Sequence, residues 1–123
     1  MKNHIKLTLL KDGEKAFEHF FFSDYFLEEK QEIEINNEKY SIFHNQESCI
    51  FLKENDEFLF TIEVKNGIKS IKYMLKEINQ ILDLNFSFLD YYLEDGKLTI
   101  QYQVESDDCK NQIILERMNS NES

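Results

Sequence analysis

Leu98, Ile100, Tyr102 and Val104 alternate strictly with Thr99, Gln101, Gln103 and Glu105, which is the period of a strand with one buried and one wet face. Asp95-Gly96 stands just before them. A two-residue type I′ turn needs positive φ at both central positions, which Gly adopts without strain and Asp tolerates. With the chain turned there, Glu94 faces Lys97, Leu93 faces Leu98, Tyr91 faces Ile100 and Leu89 faces Tyr102. Apolar residues meet apolar ones, and the pair beside the turn carries opposite charges. On the incoming strand the alternation slips once, because Leu84, Phe86 and Phe88 share one phase and Leu89, Tyr91 and Leu93 the other. This predicts a β-bulge within 87–89.

The same reasoning extends along the chain. Ile5, Leu7 and Leu9 lead through Asp12-Gly13 into a second strand over 16–22, and 23–31 reads as a loop or a short helical turn. A turn at Asn37-Glu38 places Ile35 against Tyr40 and Ile33 against Ile42. With Asn55-Asp56 as a loop, Phe51 meets Phe60, Cys49 meets Ile62 and Leu52 meets Leu59. Asn66-Gly67 then sets Ile62 against Ile71, Phe60 against Tyr73 and Phe58 against Leu75. Beyond it two periods compete. Ile68, Ile71, Leu75, Ile78 and Leu82 fit a helical stripe, with Ser70 as a cap, so 68–74 reads as strand and 72–82 equally as helix. A final strand occupies 110–118. The fold class is therefore mainly β: an antiparallel meander of about nine or ten short strands that closes, or nearly closes, into a barrel or folds into a sandwich.

Length and composition narrow this picture. The chain has 123 residues with no Pro and three Gly, so a single barrel-like domain over 1–118 followed by a disordered polar tail over 119–123 is expected. The eleven Phe and six Tyr supply apolar surface for a core. No apolar run near the start suggests a secretory signal or a membrane span, and a cytoplasmic location with both Cys as thiols is the expectation. A formal net charge of -10 disfavours direct binding to nucleic acid or an anionic membrane, and leaves a basic protein as the macromolecular partner that charge would favour.

From Tyr40 onward the chain resembles the YwiB-like family of uncharacterised bacterial proteins. The likeness rests on Lys39-Tyr40-Ser41-Ile42-Phe43, on 60–73 with its Asn66-Gly67 turn, and on the hairpin from Glu94-Asp95-Gly96 through Ile100-Gln101-Tyr102. The resemblance implies a calycin-type, lipocalin-like β-barrel. It implies no activity and no functional residues. The family usually carries a Pro-Tyr-Gly-type turn after the position of Tyr73, where this chain has Leu75-Lys76-Glu77-Ile78-Asn79-Gln80. That departure is where the helix alternative arises.

No Gly-rich phosphate loop, nucleophile elbow or paired-Cys motif occurs. His4 and His19 could approach each other across the first hairpin, but a metal site would need further ligands. Neither a metal nor another cofactor is expected. Cys49 lies in phase with Phe51 and reads as a core residue, while the charges of Asp107 and Asp108 disfavour a thiolate at Cys109. No pair of carboxylates stands out as an acid and base, so the chain is read as a non-enzyme. Two surfaces remain. Phe17, Phe20, Phe22 and Phe26 are candidates to line a pocket for an apolar or aromatic small ligand. Glu54, Asp56, Glu57, Asp107 and Asp108, with Tyr92 as an anchor, are candidates to meet a basic partner. Functionally the chain reads first as a β-barrel binding module, and alternatively as an acidic protein-binding inhibitor of toxin-immunity or nucleic-acid-mimic type.

Overall fold

Every described element is a β-strand, and each hairpin can be traced to its turn. The computed structural model describes residues 3–23, 30–45, 47–106 and 108–118. Eleven strands occur among them: β1 (Asn3–Lys11), β2 (Glu14–Ser23), β3 (Gln31–Ile35), β4 (Glu38–His44), β5 (Ser48–Glu54), β6 (Phe58–Lys65), β7 (Ile68–Leu75), β8 (Gln80–Asp83), β9 (Phe86–Glu94), β10 (Lys97–Val104) and β11 (Asn111–Met118). They form two antiparallel sheets, in the orders β2-β1-β11-β10-β9 and β3-β4-β5-β6-β7-β8. Both orders are open, and no closed barrel is found among the described residues. The two sheets belong to two compact units, the first built from the two ends of the chain and the second from its middle. Residues 119–123, expected as a tail, lie outside the described residues.

In the first unit, β9 and β10 pair in the register the Asp95-Gly96 turn demands, from Glu94 opposite Lys97 to Leu89 opposite Tyr102. Asp95 and Gly96 have φ of 38° and 78°, as a type I′ turn requires. The bulge falls at Ser87: Gln103 pairs with Phe88, and Val104 pairs with Phe86. A second bulge leaves Ala16 unpaired, since Leu9 faces Phe17 and Leu10 faces Lys15. The last strand, β11, inserts between β1 and β10, with Leu115 opposite both Leu7 and Leu98. Ile5, Leu7, Leu98, Ile100, Ile113 and Leu115 are buried on one face. Each contributes about 1.5–3 kcal/mol by leaving water.

The second unit follows the same logic with two corrections of register. The β3–β4 turn is Asn36-Asn37, both at positive φ, so Ile35 faces Glu38 and Ile33 faces Tyr40. The predicted pairing is two residues away. Asn tolerates the left-handed region far better than Glu, and the turn therefore settles on the two asparagines. At the β5–β6 turn Asn55 Oδ1 accepts from the N–H groups of Glu57 (2.8 Å) and Phe58 (3.0 Å). This side-chain turn places Asn55 at the start of the loop, and Phe51 consequently faces Ile62 and Cys49 faces Val64. Asn66-Gly67 behaves as its sequence predicts, with Ile62 opposite Ile71 and Phe60 opposite Tyr73.

The helix alternative over 72–82 is not realised. The pairing set by Asn66-Gly67 continues to Phe58 opposite Leu75, the chain turns over at 76–79 with Asn79 at positive φ, and β8 returns along β7. Ile71 is buried, whereas Ile78, Ile81 and Leu82 are exposed. The helical stripe reflects spacing alone, because three of its five members, Ile68, Ile78 and Leu82, stay exposed. The described residues contain no helix, and none therefore that is long and apolar enough to cross a membrane.

Candidate functional site

The first unit has a tight end and an open end. At the open end, the β1–β2 turn, the β10–β11 connection and the start of β9 surround a cleft of about 750 Å³. Asp12 holds its rim. The Asp12 N–H donates to the Lys110 carbonyl (2.8 Å), and the Lys110 N–H donates to Asp12 Oδ1 (2.9 Å). Asp12 can serve this way because the left-handed conformation of the turn, φ 53°, is one that a short polar side chain tolerates. The pair ties together segments almost a hundred residues apart in sequence.

The floor comes from strand alternation. Gln101 and Gln112 are cross-strand partners on β10 and β11, so their amides project side by side from the face opposite Ile100 and Ile113. Gln103 lies on the same face. Its Nε2 donates to the Asp108 carbonyl at 3.4 Å. The bulge at Ser87 completes the wall, for Phe86 pairs with Val104 and Phe88 with Gln103. A regular strand would put both rings on one face; the extra residue turns Phe88 onto the glutamine face, where it is 40% exposed. Among the described residues, one carboxylate, Asp12, and one ammonium group, Lys110, line the cleft among amides, hydroxyls and the Phe88 ring, and their two formal charges cancel. The sequence signal for it was present, in the glutamines alternating along β10 and the phase slip before Leu89, but both were legible only as a wet face and a bulge.

The aromatic candidates lie elsewhere. Phe17 is on the face of β2 shared with His19, its ring centroid 6.4 Å from that imidazole. Phe20 and Phe22 are on the opposite face, exposed, with His4 stacked on Phe22 at 4.7 Å and tilted against Phe20 at 5.6 Å. Strand alternation thus separates Phe17 from the other two. None of the three lines the cleft, and Phe26 lies outside the described residues. The same alternation separates the two histidines, because His4 pairs with Phe22 and His19 with Leu7.

The carboxylate candidates divide between the units. Glu54, Asp56 and Glu57 stand at one end of the six-stranded sheet, where Asp56 and Glu57 border a shallow depression of about 420 Å³ with Asn36, Asn37 and Glu38. Lys76 pairs with Glu54 at 2.7 Å and Lys53 with Glu38 at 3.6 Å, so part of the negative charge is met locally. Tyr92 and Asp108 are exposed on the first unit. Asp107 lies outside the described residues. No group of three or more His, Cys, Asp or Glu placed to hold a metal occurs among the described residues.

Burial pushes the Cys49 thiol up to about 12, which leaves it protonated and unreactive at neutral pH. Burial lowers the His44 pKa. A hydrogen bond from Lys30, 2.8 Å away, holds the Glu32 carboxyl below its usual range. None of these groups lines the cleft. The arrangement there can orient a ligand by hydrogen bonds and ring contact. No protein-family model, curated protein or solved structure matches the chain.

Proposed function

We propose that the protein is a non-enzymatic binding module whose ligand sits in the cleft at the Asp12 end of the first unit. The observation that carries this reading is the convergence of Gln101, Gln112 and Phe88 on one concave surface. A cleft of about 750 Å³ falls within the range of roughly 300–1,000 Å³ typical of small-molecule sites. Catalysis by acid and base would call for two groups with different affinities for a proton; among the described residues the lining offers one carboxylate, already engaged by a backbone N–H. A thermal-shift screen of a chemically varied small-molecule library tests this function. Compounds that stabilise the native chain should lose their effect on Phe88→Ala, since a ligand at a hundred times its Kd raises stability by about 2.7 kcal/mol. Equal stabilisation of both proteins would place the binding elsewhere.

Within the same proposal the protein works in the cytoplasm and shares the calycin-type, lipocalin-like barrel of the YwiB-like family. Closure into that barrel would protect the backbone amides of β2, β9, β3 and β8, the terminal strands of the two sheets. Hydrogen exchange reads this directly.

A second reading, an acidic inhibitor of a basic protein, is favoured by one observation: Asp56 and Glu57 are exposed together on the β5–β6 turn. Its affinity would fall steeply with salt, because exposed charges are screened within about 10 Å at moderate ionic strength. Charge reversal at both positions should abolish the salt dependence.

A further inference from the structure

The chemistry of the cleft, taken as the binding site proposed above, selects among ligand classes. An amide carries two N–H donors and a carbonyl acceptor at one position. Gln101 and Gln112 place two such groups next to each other, and neither side chain is bonded to another described residue, whereas the Gln103 amide is engaged by Asp108. A ligand that satisfies this pair must itself both donate and accept, repeatedly and at short spacing. Hydroxyl groups do so.

Other classes fit less well. An apolar ligand would desolvate the two amides without replacing their hydrogen bonds with water. A fixed anion or cation would find its attraction to Lys110 or Asp12 offset by the other, and an anion would also meet the overall charge of -10. A peptide adding to β9 as a new strand would reach the bulge at Ser87, which interrupts the row of backbone groups that strand addition needs. Phe88, by contrast, presents a flat apolar ring beside the amides. Such a platform matches the C–H face of a pyranose, whose hydroxyl edge would lie over the glutamines.

We propose that the cleft binds a neutral oligosaccharide, with one pyranose ring stacked on Phe88 and its hydroxyls hydrogen-bonded to Gln101 and Gln112.

The test is titration of the 123-residue chain, followed by amide-resolved NMR, with maltotriose, cellotriose and triacetylchitotriose, and separately with inorganic phosphate and indole. A trisaccharide should shift the side-chain amide resonances of Gln101 and Gln112. Gln112→Glu, which keeps size and removes the donor, and Phe88→Ala should each weaken that binding by roughly tenfold, the loss expected for one directional contact. Gln101→Leu, on a strand that tolerates apolar residues, gives a second and independent loss. Indole or phosphate shifting these resonances while all three saccharides leave them unmoved would overturn the ligand class and leave the cleft as the binding site. If no probe moves them, both the ligand class and the cleft reading fail.

Discussion

The two ends of the five-stranded sheet are closed by the same dipeptide and could hardly differ more. Asp95-Gly96 and Asp12-Gly13 both place Asp and Gly at positive φ. Above Gly96 lies Arg117: its N–H donates to the Gly96 carbonyl at 2.9 Å, and its side chain sits 3.6 Å from where a β-carbon would be. Around the corresponding β-carbon position at Gly13 no described residue beyond its chain neighbours comes within 4 Å. Both bulges of the sheet, at Ala16 and at Ser87, fall at the Gly13 end, as does the longer β10–β11 connection. A turn dipeptide therefore determines register, while bulges and the chain that follows determine whether an end is a lid or a mouth.

The largest effects should come from the tight end, where Leu98 and Leu115 are fully buried. Leu98 is 1% exposed and its cross-strand partner Leu93 is 48% exposed. Leu98→Ala should cost about 2–5 kcal/mol in urea denaturation and Leu93→Ala under about 1 kcal/mol, because only the first leaves a cavity. Equal costs would show that the end is not packed as described.

Gly96→Val comes next. A β-branched residue at φ 78° is strained by roughly 1–3 kcal/mol, and here its γ-methyl groups also have to fit beside the Arg117 side chain, which lies 3.6 Å from the β-carbon position. Gly13→Val carries the backbone strain alone, so it should cost less by the same measurement. A larger loss at Gly13 would reverse the comparison between the ends.

Asp12→Ala sharpens the description of the mouth. It removes the acceptor for the Lys110 N–H and should cost about 1–2 kcal/mol, with faster hydrogen exchange at Lys110 and none of that increase at Arg117. The reciprocal bond through the Asp12 N–H keeps the loss local.

The smallest effects lie in the second unit, as a control. Cys49, with its thiol pushed up to about 12, should react with a disulfide reagent at neutral pH only as fast as the unit opens. His44 has its folded pKa lowered by burial, so the unfolded chain binds the proton more readily. Its contribution to stability is present above the ordinary His value of about 6.5 and is lost as pH falls below that value and through the lower folded one. His44→Gln should flatten the slope of urea stability in that window. An unchanged slope would assign it to other groups.

Register was legible where a turn admits one solution. Asp95-Gly96 and Asn66-Gly67 each offer a single place for two positive φ values, and both pairings follow from them. Near Asn36-Asn37 and Asn55 several adjacent residues tolerate the turn, and the predicted pairings slipped by two residues, a shift that preserves faces. Between 68 and 82 the helical and strand periods coincide locally. What separates them is the partner strand β6, which no local window contains. The cleft was least legible, because it depends on β11 entering beside β10 and on which way one bulge turns Phe88. Phe17, Phe20 and Phe22 drew attention as rings, yet their alternation on a terminal strand scatters them over two faces.

A crystallographic fragment screen shows where on the first unit ligands gather. Small polar and aromatic fragments should collect at the open end of the first unit, in contact with Phe88, Gln101 and Gln112. Fragments gathered instead on the exposed Phe20, Phe22 and His4 rings of the same unit, with none at the open end, would contradict the assignment of the cleft as the binding site.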